Sequence, residues 1–311
     1  MVLQDILISC NEVVKHAKHV KINDVKLKEL VENFDFNVEN WLQNNTFGLF
    51  NSPYETLVNY MFFHNTIGFS YWNKPRWQTT TADGKNHYNS GALLYIMTEK
   101  LKQDPDAFDY KNLMSWTFKD FQQFLTLNVE LSLLLDRWKK FDKVRTVINE
   151  KFNGSLPDAI KNYNTDEELF NFIISNFNCF KDDAAYNGKT VHFYKLAQLT
   201  TGDILYVKKL MLNEQVDYSH LNACPDYRLP QILRHRGVLA YSKELADLVD
   251  GEKEIPQESD YEVEIRAGIV TAIDKLHKIT GKNSIVIDHS LFSLAKDKTM
   301  LPHHKTRTIH Y

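Results

Sequence analysis

Apolar residues recur at helical spacing through most of this chain. Leu3, Ile6, Leu7, Val13, Val14 and Ala17 predict a helix within residues 2–20, and Val25, Leu27, Leu30 and Val31 a second over 24–34. Residues 54–63 are apolar on most sides, which predicts a helix inside the core. Further helices are predicted over 92–101, 118–125 and 129–147, the last apolar at Leu131, Leu133, Leu134, Leu135 and Trp138. Thr165 with Glu168 and Ser259 with Glu262 have the spacing of capping boxes. The first opens a helix through Phe170, Ile173, Ile174 and Phe177. The second opens one running to Gly281 with Ile269, Val270, Ile273, Leu276 and Ile279 as its buried stripe. Phe193, Tyr194, Ala197, Thr201, Ile204 and Leu205 share one face of a helix predicted over 191–211. Strand signals are weak, with residues 284–287 the main candidate. The pattern predicts a mainly α fold in one compact domain with few short strands.

The stretch 224–239 holds the densest chemistry. Asp226, Tyr227 and Arg228 put an acid, a phenol and a cation just before Pro230. A proline with fixed φ and no N–H suits the first turn of a helix, which Ile232 and Leu233 continue and Gly237 ends as a C′ residue. Asp226 then stands outside a helix N-terminus, where outward-pointing N–H groups favour an anion. It can be a simple cap or a reactive carboxylate.

Composition narrows the function. With 43% hydrophobic residues, 11 Gly and 8 Pro in 311, the chain can build a real core and has little room for disorder. Aromatics at 13% suit an ordinary core or the stacking of flat ligands. A net charge of −3 disfavours a direct grip on a nucleic-acid backbone. Three cysteines without a CxxC pair argue against a disulfide framework or zinc ribbon and fit an intracellular, cytoplasmic setting. The polar-interrupted start does not read as a signal peptide, and no apolar run approaches the ~20 residues that cross a bilayer.

The chain has no GxGxxG, GxxxxGK[ST], HExxH or GxSxG motif, which lowers dinucleotide oxidoreductases, P-loop NTPases, zincins and α/β-hydrolases. What it has are polar residues in apolar surroundings. Lys195 lies near the apolar side of its helix and needs an anion: a carboxylate such as Asp203, eight residues on, or a ligand phosphate. Asp288 follows the apolar run Ile285-Val286-Ile287, and can cap a helix from Leu291 onward or face a ligand. The dense aromatic turn around Phe69, Tyr71 and Trp72 can be a core plug or a pocket wall. The closing Thr308-Ile309-His310-Tyr311 alternates like a strand, which predicts a docked tail.

These pieces together resemble the queuosine salvage protein family, queuosine 5′-phosphate N-glycosylase/hydrolases. The hallmark is Asp-Tyr-Arg-Leu-Pro-Gln-Ile-Leu-Arg at 226–234 followed by Gly-Val-Leu-Ala-Tyr-Ser at 237–242. In the same order along the chain come Gly68–Trp72, Asn178–Asp183, Phe193–Gln198, Glu262–Ala267, Ile287-Asp288 and Pro302–Arg307. The series spans nearly the whole chain. Departures from the family pattern fall at Gly68, Tyr71, Leu196, Cys224, Pro225 and Phe292.

The resemblance implies one domain over residues 1–311, with a helical fold similar to DNA glycosylases. It implies hydrolysis of the bond between queuine, a 7-deazaguanine base, and ribose 5-phosphate, the freed base returning to tRNA through a separate transglycosylase. No metal and no redox cofactor is expected. Such cleavage passes through an oxocarbenium-like sugar, which a nearby carboxylate stabilises. Asp226 takes that role, and Lys195 holds the 5′-phosphate or acts electrostatically on Asp226. Asp288 would accept hydrogen bonds from the guanine-like edge, and Phe69 and Trp72 would enclose the base. Tyr227, Arg228 and Cys224 join the substrate-binding set, with His303, His304 and Arg307 closing over the phosphate. A non-catalytic carrier of queuine or its nucleotide, an all-helical adaptor for tRNA or protein, and a nucleosidase for another (deaza)purine are the alternatives. Oligomeric state stays open.

Overall fold

The computed structural model describes residues 2–44, 47–72, 74–81, 83–294 and 299–311. In chain order the elements begin with α1 (Val2–His16), β1 (Val20–Ile22), α2 (Asp24–Asn33), α3 (Tyr54–Ile67), β2 (Gln78–Thr80) and β3 (Asn86–Tyr88). They continue with α4 (Ser90–Gln103), α5 (Tyr110–Leu113), α6 (Phe118–Leu125), α7 (Leu134–Phe152), α8 (Leu156–Ile160) and α9 (Asp166–Asn176). The rest are β4 (Asp183–Tyr186), β5 (Lys189–His192), α10 (Lys195–Leu212), α11 (Arg228–His235), β6 (Leu239–Tyr241), α12 (Lys243–Asp250), α13 (Asp260–Thr280) and α14 (Ser284–Ser293). The fold is mainly α, as the periodicity predicts. The described strands form three antiparallel pairs, β1–β6, β2–β3 and β4–β5. No helix of the described residues is long and apolar enough to cross a membrane. Contacts cluster into two units: Met1–Gln43, Lys181–Gly202 and Tyr218–Tyr311 form unit 1, and Asn44–Phe180 with Asp203–Asp217 form unit 2.

Unit 1 is built on α13. Every residue from Glu262 to Asp274 is buried, and α1, α2, α11, α14 and β1 pack around it. Gly268 lets β1 approach closely: a Cβ there would meet Val20 Cγ1 at 3.1 Å. The buried Glu264 accepts the amide hydrogens of Lys18, His19 and Val20 at 3.0, 2.6 and 3.0 Å, and the Tyr186 hydroxyl at 2.8 Å. A carboxylate inside the core is thus fully hydrogen-bonded, and it fixes where β1 begins.

Unit 2 has an aromatic core. Helix α3 is buried on nearly all sides, as its pattern of apolar residues on most sides predicts, with Phe62, Phe63, Phe108, Phe121 and Phe141 fully enclosed. Arg137 of α7 is also fully enclosed and donates to the carbonyls of Ile67, Phe69 and Ser132. It satisfies carbonyls left bare where α3 ends, as a buried guanidinium must.

Several predicted boundaries move. Residues 284–287, the strand candidate, open α14 instead. The helix penalty of Ile285, Val286 and Ile287 is a few tenths of a kcal/mol each, small against burying Ile285 and Ile287 as α14 packs on α13. The helix predicted from 191 begins at Lys195, because Val191 and His192 pair with Ala184 and Asp183 in a hairpin. The helix predicted over 129–147 runs Leu134–Phe152 and leaves Leu135 exposed. Ile279, assigned to the buried stripe of α13, is 49% exposed. Thr165–Glu168 is a complete capping box. Ser259 caps α13, but Glu262 does not return the bond; it takes the Glu258 amide and turns into the core. The tail is docked, with Tyr311 2% exposed, yet Thr308–Tyr311 forms no strand.

Candidate active site

The stretch 224–239 folds as its residues predict. Asp226 Oδ1 accepts the amide hydrogens of Arg228 at 2.7 Å and Leu229 at 3.1 Å, capping α11. Gly237, at φ +74°, closes the other end, its N–H bonding the Arg234 carbonyl at 2.9 Å. The cap occupies one oxygen of Asp226. The second has no hydrogen-bond partner among the described residues, and the side chain is half-buried.

Lys195 opens α10 and is 7% exposed. Its backbone N–H donates to Asp182 Oδ2 at 3.1 Å. Its ammonium has no hydrogen-bond or ion-pair partner among the described residues. Confining a cation so closely without a counter-ion is unfavourable, so the place suits an anionic ligand. The turn into α10 is strained. Tyr194 holds φ +48°, a left-handed conformation that disfavours a bulky side chain by about 1–2 kcal/mol. The Asp182 carbonyl accepts the N–H of Phe193 at 2.9 Å and of Tyr194 at 3.2 Å, holding that turn in place.

Asp182 faces Arg266 of α13 in a two-pronged ion pair, Nη1 to Oδ1 at 2.9 Å and Nη2 to Oδ2 at 2.6 Å. Both side chains are 3% exposed. Arg266 Nε also donates to the Pro225 carbonyl at 3.2 Å, one residue before Asp226. Its guanidinium carbon lies 3.9 Å from the Phe193 ring centroid and 4.5 Å from that of Tyr311. Burial alone would raise the Asp182 carboxyl, but the charge and hydrogen bonds of Arg266 outweigh it and hold the group below the ordinary carboxylate value. Glu262, 3.4 Å from Arg266 Nη1 and bonded by the Tyr311 hydroxyl at 3.0 Å, is pushed the other way by burial.

Asp288 lies inside α14, so it is not the cap of a helix starting near Leu291. Its Oδ2 accepts the Cys224 N–H at 2.6 Å, and both residues are buried. An unbroken series of contacts therefore joins Asp288, Cys224, Pro225, Arg266, Asp182 and Lys195. Tyr227 is buried, with the His303 ring 4.7 Å away between centroids, and Arg228 lies 5.5 Å from its ring centroid and bonds Gln231 at 3.0 Å. Burial lowers the His303 imidazole to about 4; its Nδ1 sits 2.7 Å from the His304 carbonyl. His304 is buried with Nε2 3.3 Å from the Tyr311 hydroxyl. Arg307 is exposed and pairs with Glu254 at 2.6 Å.

Phe69 and Trp72 belong to unit 2. Phe69 is 1% exposed, with the Arg137 guanidinium carbon 4.3 Å and Lys140 Nζ 5.4 Å from its ring centroid. Trp72 is half-buried. Asp203 accepts the Asn65 side-chain amide at 2.9 Å.

Asp182 and Arg266 escape sequence reasoning, although both sit in the motifs quoted above. One signal was present: Arg266 lies three residues before Ile269, in line with the apolar stripe of α13, where a cation needs a buried anion. Which anion, 84 positions away, is not written in local spacing.

A sequence model described as "Queuosine salvage protein" matches residues 49–311. The chain is 31% identical to a protein of Sphaerobacter thermophilus over 83% of its length and 82% of that protein. It is 30% identical to one of Dictyostelium discoideum over 95% of both chains, and 27% identical to one of Bos taurus over 83% of its length and 82% of that protein. All three are named queuosine 5′-phosphate N-glycosylase/hydrolase.

Proposed function

The chain belongs to the queuosine salvage protein family, and we propose that it hydrolyses the N-glycosidic bond of queuosine 5′-phosphate, releasing queuine and ribose 5-phosphate. The observation that carries the reading is the presence, within one unit, of a buried ammonium at Lys195 and a carboxylate oxygen at Asp226, neither with a partner among the described residues. A phosphate and an electron-poor sugar carbon are the ligand groups that complement these two.

In this reading the C1′–N bond breaks as positive charge develops on the ribose. The free oxygen of Asp226 stabilises that charge and orients a water, whose oxygen bonds C1′ while a proton passes to the departing base. Lys195 binds the 5′-phosphate. Binding energy from that remote group holds the sugar against Asp226, so it contributes to turnover as well as affinity. Asp288 is the candidate acceptor for the donor edge of the base, and Tyr227 and Cys224 for its apolar walls. Arg228, His303 and Arg307 are candidates around the phosphate. With a net charge of −3 the chain has no general electrostatic grip on a polyanion, which favours the free nucleotide over intact tRNA. Incubation of purified protein with queuosine 5′-phosphate should yield free queuine and ribose 5-phosphate in equal amounts. Binding without base release would overturn the proposal.

A further inference from the structure

We propose that the buried Asp182–Arg266 ion pair is the positioning device of this site, fixing the backbones of Lys195 and Asp226 relative to each other; this rests on the hydrolase reading above. The pair lies between the two segments and touches both. Asp182 Oδ2, 2.6 Å from Arg266 Nη2, is also 3.1 Å from the Lys195 amide nitrogen. Arg266 Nε reaches the Pro225 carbonyl at 3.2 Å, in the peptide that leads into Asp226. One guanidinium thus holds both stretches of chain, through a carboxylate on one side and directly on the other.

Three features suit this role. The fork is planar and two-pronged, so it fixes orientation as well as distance. The Phe193 and Tyr311 rings flank the guanidinium at 3.9 and 4.5 Å and keep it from rotating away. Asp182 further restrains the strained Tyr194, at φ +48°, through its own carbonyl. Strain held immediately before Lys195 indicates that the angle at which the lysine leaves the turn matters. Neither Asp182 nor Arg266 is needed at the substrate; each acts through a neighbour's backbone.

Asp182→Asn and Arg266→Lys test it, with queuosine 5′-phosphate as substrate. Both should lower kcat at least tenfold, with a smaller accompanying rise in KM. In a Lys195→Ala background Asp182→Asn should add less than a threefold further loss, because its effect runs through Lys195. Glu262→Gln, which leaves the fork intact, should keep kcat within threefold. A Glu262→Gln loss as deep as that of Asp182→Asn would mean the cluster only stabilises the fold, and would overturn the proposal. So would full wild-type kcat in folded Asp182→Asn and Arg266→Lys, or losses that multiply independently of Lys195. If circular dichroism shows Asp182→Asn unfolded, Asp182→Glu, which keeps the charge but shifts the acceptor, takes its place with the same expectations. Wild-type protein run in parallel reports on the hydrolase reading itself: an inactive wild type sinks that reading, whereas an active wild type with unchanged variants sinks only the positioning role.

Discussion

The Arg228 amide nitrogen lies 2.7 Å from Oδ1 of Asp226, so the carboxylate assigned to catalysis is also the cap of α11. The two roles use different oxygens and can be separated by substitution. Asparagine caps about as well as aspartate but carries no charge. Asp226→Asn should keep the melting temperature and lower kcat by roughly 10²-fold or more. Asp226→Ala should lose activity and also about 1 kcal/mol of stability. Near-normal queuine release by Asp226→Asn would remove this residue from the mechanism.

Lys195 should read the phosphate. Queuosine lacking its 5′-phosphate should show a lower kcat/KM than the nucleotide, by roughly tenfold to a hundredfold, the scale of a charged hydrogen bond. Lys195→Ala should erase most of that preference. If the wild type handles both substrates equally, the ammonium has another purpose.

Asp288 and Cys224 make a structural contact that is testable apart from catalysis. The Cys224 amide is buried and donates to Asp288 Oδ2 at 2.6 Å. Asp288→Ala removes that acceptor and should destabilise the fold by about 1–3 kcal/mol. Asp288→Asn can still accept the bond, so denaturant melts should place it clearly above the alanine variant. Equal midpoints for the two would show that the contact does not contribute.

Two buried histidines should make the protein acid-sensitive. Burial lowers His304 from the ordinary 6.5 to about 3, aided by the charges of His303 and Arg266, and lowers His289 to about 4. Both are depressed in the folded state, so as pH falls the unfolded chain takes up protons first. Their contribution is complete above pH 6.5 and is lost on descent toward pH 4, at about 1.4 kcal/mol per pH unit for each. From pH 7 to 5.5 the two together should remove roughly 2–3 kcal/mol. Urea unfolding at both pH values should show it, with a shallower dependence in His304→Gln. An identical slope in that variant would count against His304.

Helices, both ends of α11 and the capping role of Asp226 could be read from the chain itself. Those features depend on neighbours within four residues, where periodicity, proline, glycine and caps act directly. The short segment at 284–287 could not, because its own β-branched residues favour a strand and only the surface of α13 makes it helical. The same holds for the start of α10, where a hairpin with β4 claims residues that fit the helix equally well. The resemblance singles out Asp226, Lys195 and Asp288 as candidates. What joins them, the Asp182–Arg266 fork and the bond from Cys224 to Asp288, spans 84 and 64 positions of chain. A charge on an apolar face announces that it needs a partner, and only the folded chain selects which one, because burial makes that choice through three-dimensional proximity.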